Sequence, residues 1–273
     1  MSRLALYLVY ALAVMLITGC AGEKIKERPS RVQQVIDQGR QGQAAFFKGD
    51  MSRAGRLFEF ALTDAMRIED SEGIAVMSIN LARVSRESGA SERALKILEA
   101  VSPWHRSSIS ARTAQEMDLL TAVLLSDLGR RDEALARLQE LRDRCQSACE
   151  LVIGMDSLQA RLMLEKGDAS GAVHRATAAI ASFRSHGNQI ELANLFRVQG
   201  EAHLALGDFD AARQSLESAL GIDKSLGQPA KIAQDLEALA RNALAAKDTP
   251  AHTGYMARLE EVRRAQIVHT PTK

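Results

Sequence analysis

Reactive side chains are sparse in this 273-residue chain, and its three cysteines are the first to weigh. Cys20 closes a stretch from Leu4 to Ile17 in which every residue is apolar, with the small residues Thr18 and Gly19 between. Cys145 and Cys149 stand four apart in RCQSACE. On an intact helix such a pair keeps its Cβ atoms about 5–6 Å apart, whereas a disulfide needs about 3.8 Å. A bridge therefore requires the helix to end between them, which Ser147 in a turn allows. So short a loop contributes about 2 kcal/mol in the chain-entropy model. A structural disulfide is the favoured reading. Two buried free thiols and a redox pair are the alternatives, the latter disfavoured by CxxxC spacing without a thioredoxin-like strand pattern. The histidines, at 105, 174, 186, 203, 252 and 269, lack metal-ligand spacing. His203 falls where a helix packs on its neighbour. No HExxH, GxSxG, paired CxxC or glycine-rich phosphate loop is present. Gly207-Asp208-Phe209-Asp210 hints at a cation site, but a repeat turn accounts for it. These residues predict no catalytic site, no metal and no cofactor, hence no enzyme.

The run that ends at Cys20 begins after Met1-Ser2-Arg3 and is 14 residues long. A membrane-spanning helix needs about 20 apolar residues, so the length fits the core of a signal peptide. Ile17-Thr18-Gly19-Cys20 resembles the lipobox of bacterial lipoproteins. The resemblance implies cleavage before Cys20, a diacylglycerol on its sulfur and an acylated new N-terminus. An ordinary secretory signal and an uncleaved anchor are the alternatives. Several acyl chains anchor stably where one is marginal. Ala21, where an Asp would favour inner-membrane retention, implies the outer membrane on its periplasmic side. Residues 1–19 are then a signal peptide. Residues 20–30, the lipidated cysteine followed by AGEKIKERPS, form a tether.

The remainder repeats. A glycine followed by an apolar-periodic, alanine-containing segment recurs at Gly49, Gly89, Gly129, Gly167 and Gly207, at intervals of 40, 40, 38 and 40. One further interval reaches Lys247-Asp248. Seven residues before each turn sits Gly42, Ala82, Ala122, Ala160, Gly200 or Ala240. Five after it sits Ala54, Ala94, Ala134, Ala172 or Ala212, with His252 in the last copy. Twelve after it come Ala61, Val101, Leu141, Ala179, Ala219 and Leu259. Glycine tolerates the left-handed residue that ends a helix, and Asp168, Asp208 and Ser52 suit the cap of the next. Small residues let helix axes approach. The pattern resembles the tetratricopeptide repeat over residues 31–267, with a 268–273 tail. It implies an all-α, tetratricopeptide-like α-solenoid of about twelve antiparallel helices in a right-handed superhelix. The helices pair as 31–48 with 52–67, 71–88 with 91–101, 111–128 with 131–144, 150–166 with 169–184, 189–206 with 209–224, and 229–246 with 250–267. The period exceeds the usual 34, which calls for longer helices or connections. Pro103-Trp104-His105 falls in the longest connection.

The formal charge is +1, or zero once Arg3 is removed with the leader, and aromatics are 4% of the chain. Nucleic-acid binding is disfavoured, since neither a basic excess nor a stacking surface is present. The repeat resemblance points instead to a protein partner, an extended peptide or helix on the concave face. Its groove positions fall on Arg40, Gln43, Asn80, Arg83, Arg86, Arg161, Asn194, Arg197, Glu201 and Arg241. Arginine at most levels is either a ladder for carboxylates and carbonyls or a set of local pairs with Glu87, Glu165 and Glu201. Phe46 and Phe47 are either core, the favoured reading, or an apolar lip, and Trp104 sits over a helix end or serves as an anchor. The function implied is a lipid-anchored scaffold in envelope, pilus or secretion-system assembly. The alternative is a cell-wall or polysaccharide-associated regulator binding glycan or a cell-wall enzyme.

Overall fold

Two 17-residue helices and two three-residue turns make one forty-residue unit, which accounts for the long period: Arg31–Phe47, Met51–Arg67, then Ser71–Glu87. The computed structural model describes residues 30–145, 149–183 and 188–268. Cys20, the leader and most of the tether lie outside them. The described residues form thirteen helices and no strand: α1 Arg31–Phe47, α2 Met51–Arg67, α3 Ser71–Glu87, α4 Ser91–Glu99, α5 Pro103–Ser108, α6 Ala111–Asp127, α7 Arg131–Arg144, α8 Val152–Glu165, α9 Ala169–Ser182, α10 Gln189–Leu206, α11 Phe209–Ser225, α12 Pro229–Ala245 and α13 Thr249–Val268. Six antiparallel hairpins stack into an α-solenoid of tetratricopeptide type. Helices α1, α3, α6, α8, α10 and α12 are the first helix of each unit.

The turns close as the glycines require. The five repeat-turn glycines all have φ between 74° and 87°, and Lys247 takes the same left-handed conformation at φ 60°. At the first turn Asp50 N–H donates to Ala45 C=O (3.0 Å) and Gly49 N–H to Phe46 C=O (2.9 Å), a double closure repeated through the array. Asp50, not Ser52, caps α2 by accepting from Arg53 N–H. Asp168 and Asp208 cap α9 and α11.

The small positions are where the helices meet. Ala82, Ala122 and Ala160 are fully buried, as are Ala54, Ala94, Ala134, Ala172 and Ala212. A Cβ on Gly200 would sit 2.6 Å from Leu216 Cγ and 3.0 Å from the Ala212 carbonyl oxygen, so α10 and α11 approach too closely for one. His252 fits its alanine position half-buried, with Nδ1 3.0 Å from the Ala240 carbonyl oxygen. That distance requires the proton on Nδ1.

Pro103-Trp104-His105, in the longest connection, opens a short helix that the sequence reading did not assign, because Ser102 caps it and Pro103 suits its first turn. Arg106 donates to the Leu98 and Val101 carbonyls (2.6 and 3.0 Å), covering the end of α4, and His105 Nδ1 lies 2.9 Å from Ser71 Oγ. Trp104 is 73% exposed and covers no helix end. At the cysteine pair, where a disulfide is the favoured reading, α7 ends at Arg144 and Cys145 is extended (φ −82°, ψ 99°). Its sulfur is joined to that of Cys149, with the Cα atoms 5.4 Å apart. Ser147 lies outside the described residues.

Candidate binding channel

The concave surface is built by the first helix of every unit, because these helices pack on one another as well as on their hairpin partners. They enclose an open channel of about 1460 Å³. Apolar side chains from several levels line it, among them Phe46, Phe47, Leu119, Val123, Leu158, Ile190, Val198 and Val262. Phe47 is 43% exposed and forms an apolar lip, whereas Phe46 is partly buried against the core. The rings of Phe46 and Phe47 meet edge to face at 5.9 Å.

Eight of the ten groove positions inferred from sequence line the channel: Gln43, Asn80, Arg83, Arg86, Arg161, Asn194, Arg197 and Glu201. Arg40 does not, and bonds to Asp37 at 2.8 Å on the α1 surface. Arg241 does not either, but reaches from α12 to Glu201 on α10 at 3.1 Å.

The arginines are not a row of vacant guanidinium groups. Arg83 pairs with Glu116 at 3.5 Å and Arg86 with Asp127 at 2.5 Å, both from α3 to α6. Arg161 on α8 reaches back to the same Asp127 at 3.0 Å. Each pair ties one unit to the next, and local pairing is thus the arrangement the structure adopts. The partners Glu116 and Asp127 escaped the sequence reading. A signal for the second was available: Glu87, Asp127 and Glu165 all stand two residues before their repeat glycine.

Arg197 is the extreme case, at 5% exposure. Its Nε donates to Asp235 at 2.6 Å, its Nη1 to Asn194 at 2.8 Å, and its Nη2 to Asp223. Both acids are fully buried, so one cation serves two carboxylates. Burial, reinforced by Asp223, outweighs the pull of Arg197 and pushes the Asp235 carboxyl up to about 7. Arg197 is therefore a strut in the channel wall. One turn before Asp235 on α12, Lys231 is pushed below the ordinary lysine value by burial, with Glu87 partly offsetting this and Arg197 and Arg86 adding to it. Its Nζ lies 3.6 Å from Glu87 Oε1.

Among the described residues no group of three or more His, Cys, Asp or Glu side chains could hold a metal ion. The channel combines an apolar floor, amide groups from Gln43, Asn80 and Asn194, and arginines paired with acids of the wall.

No protein-family model matches the sequence, and no curated protein matches it. Solved structures do. A Rap protein complexed with competence and sporulation factor aligns with TM-score 0.64 at 12% identity, over 89% of this chain and 79% of that one. Cut9–Hcn1 of the APC/C hetero-tetramer gives 0.62 at 15%, over 93% of this chain and 42% of that one. Pseudomonas aeruginosa pilF gives 0.52 at 16%, over 85% and 93%. At such identities the likeness is one of fold.

Proposed function

We propose that this chain is a non-catalytic scaffold whose channel binds a segment of a protein partner, tethered by lipid on Cys20 to the periplasmic face of a bacterial outer membrane. Its setting is the assembly of envelope, pilus or secretion machinery. The channel of about 1460 Å³ carries the reading. It exceeds a typical small-ligand cleft of roughly 300–1,000 Å³ and runs across every unit of the array. Its apolar floor rewards burial of side chains, and its amides suit a peptide backbone. Two of the solved structures with this fold are themselves complexes, Cut9 with Hcn1 and Rap with competence and sporulation factor. The membrane assignment rests on the leader, where the apolar run, the small residues and Cys20 occur in order.

Pull-down from detergent-solubilised envelope tests the binding. Gln43 and Arg83 are both exposed in the channel, so Gln43→Trp fills its space and Arg83→Glu sets an acid against Glu116 without disturbing the core. We expect both to lose a partner that the wild-type protein captures, with helical circular dichroism unchanged. An identical set of captured proteins rejects the channel as the binding site. Separately, Cys20→Ser should move the protein from the membrane fraction to the soluble one. Retention in the membrane argues against the lipid.

A further inference from the structure

The two ends of the solenoid touch across the mouth of the channel. A Cβ placed on Gly49, in the first repeat turn, would lie 3.2 Å from Pro229 Cγ at the start of α12 in the last unit. Beside this contact, Lys231 of α12 meets Glu87 at the end of α3. Elsewhere the substantial helix packing is between elements of the same or adjacent units. Closure is thus made by a few side chains, while the rest of the array is held by packed helix faces.

We propose that Glu87, Lys231 and the Pro229–Gly49 contact form a clasp that closes the side of the channel, and that the clasp must part for an internal segment of a protein partner to enter. This rests on the channel being the binding site. The clasp is built to yield. The Lys231–Glu87 separation of 3.6 Å is outside hydrogen-bond range, and Arg86 competes for the same Glu87 oxygen at 3.6 Å. Both partners are about one-fifth exposed, so water and salt reach them. Lys231 also stands near the cations Arg86 and Arg197, which oppose its charge. Opening needs no single hinge. Small rotations at each junction between units add along a solenoid, so a wide change at the mouth costs little at any one interface. A closed ring admits a chain only end-first, whereas an open one admits an internal segment from the side.

The gate can be followed without a ligand. Nitroxide labels on Arg53→Cys and Gly254→Cys, exposed sites in the first and last units, report the mouth by pulsed dipolar spectroscopy. In this background, with Cys20 replaced by Ser and the native disulfide oxidised, Lys231→Glu should lengthen and broaden the distance distribution. The charge swap Glu87→Lys/Lys231→Glu should bring it back, and high salt should shift the wild-type pair toward the open distribution. An unchanged distribution in Lys231→Glu, or a swap that fails to recover, overturns the clasp. A second variant, Glu87→Cys/Lys231→Cys, is bridged with a bifunctional maleimide and compared with the same protein capped at each thiol by N-ethylmaleimide. The bridged form should lose the partner that the capped form takes from envelope extract, and equal capture overturns the gate. If wild-type protein captures nothing, the binding function fails, while the distance measurement still decides the clasp.

Discussion

Arg197 lies between Asp223 and Asp235 with almost no access to water, so its removal leaves two buried carboxylates with no cation. Breaking a buried pair in this way costs about 3–5 kcal/mol, and Arg197→Ala should lose that much in urea unfolding. Asp235→Asn should be far milder, because it removes one of two acids competing for one guanidinium. It should also change the pH response. The Asp235 carboxyl, at 3.8 in its ordinary state and pushed up to about 7 in the fold, binds a proton that the unfolded chain releases. Its contribution to stability is therefore full below pH about 4 and lost as pH rises toward 7. Asp235→Asn should flatten that part of the profile relative to wild type, and parallel profiles would place the titration elsewhere. The sequence located Arg197 on the concave face but could not show that its charge was spent. Asp235 stands in KIAQDLEALA, where Leu236 and Leu239 mark the buried stripe; an acid inside that stripe was the one legible trace of the cluster. Asp223 left none, since GIDKS reads as an ordinary exposed turn of helix.

Helix positions were far more legible, because hairpin packing imposes small residues at fixed offsets, and boundaries fall within two residues of the expected pairs. What escaped was the α5 insertion. Six residues carry too little periodicity to signal a helix, and only Ser102-Pro103 marks its start. The offsets have an energetic consequence that distinguishes one glycine from another. On Gly200 a methyl group collides with Leu216, which is itself fully buried, and with backbone at Ala212. Gly221 lies in α11, and a methyl group there meets nothing within 4 Å. Gly200→Ala should therefore destabilise by about 1–3 kcal/mol, the usual cost of overpacking. Gly221→Ala should stabilise by about 0.5–1 kcal/mol, by restricting the unfolded chain and favouring helix. Denaturant unfolding of the two variants checks both signs, and equal effects would mean that helix approach does not set the small positions.

Across the whole molecule the apolar core is not continuous in depth. The largest cluster runs from Val35 to Leu162 and includes Phe58, Leu98, Met117 and Leu141. A smaller one joins α8 to α10, and a third holds α11, α12 and α13 together through Leu216, Leu236 and Leu259. The smaller cluster passes through α9, whose buried residues are alanines alone: Ala169, Ala172, Ala176 and Ala179. Stabilisation by burial follows apolar area, at about 25 cal/mol per Å², so α9 contributes less than α2, which buries Phe58, or α6, which buries Met117, Leu120 and Leu124. Stability in a solenoid is close to a sum of local units and their interfaces, and the thinnest interface opens first. Native-state hydrogen exchange should therefore give α9 amides a lower opening free energy than those of α2 or α6. Unfolding should separate the first three units from the last two. Equal values in α9 and α6 would instead mean that the array unfolds as one body, with cooperativity carried through the alanine-lined faces of α9.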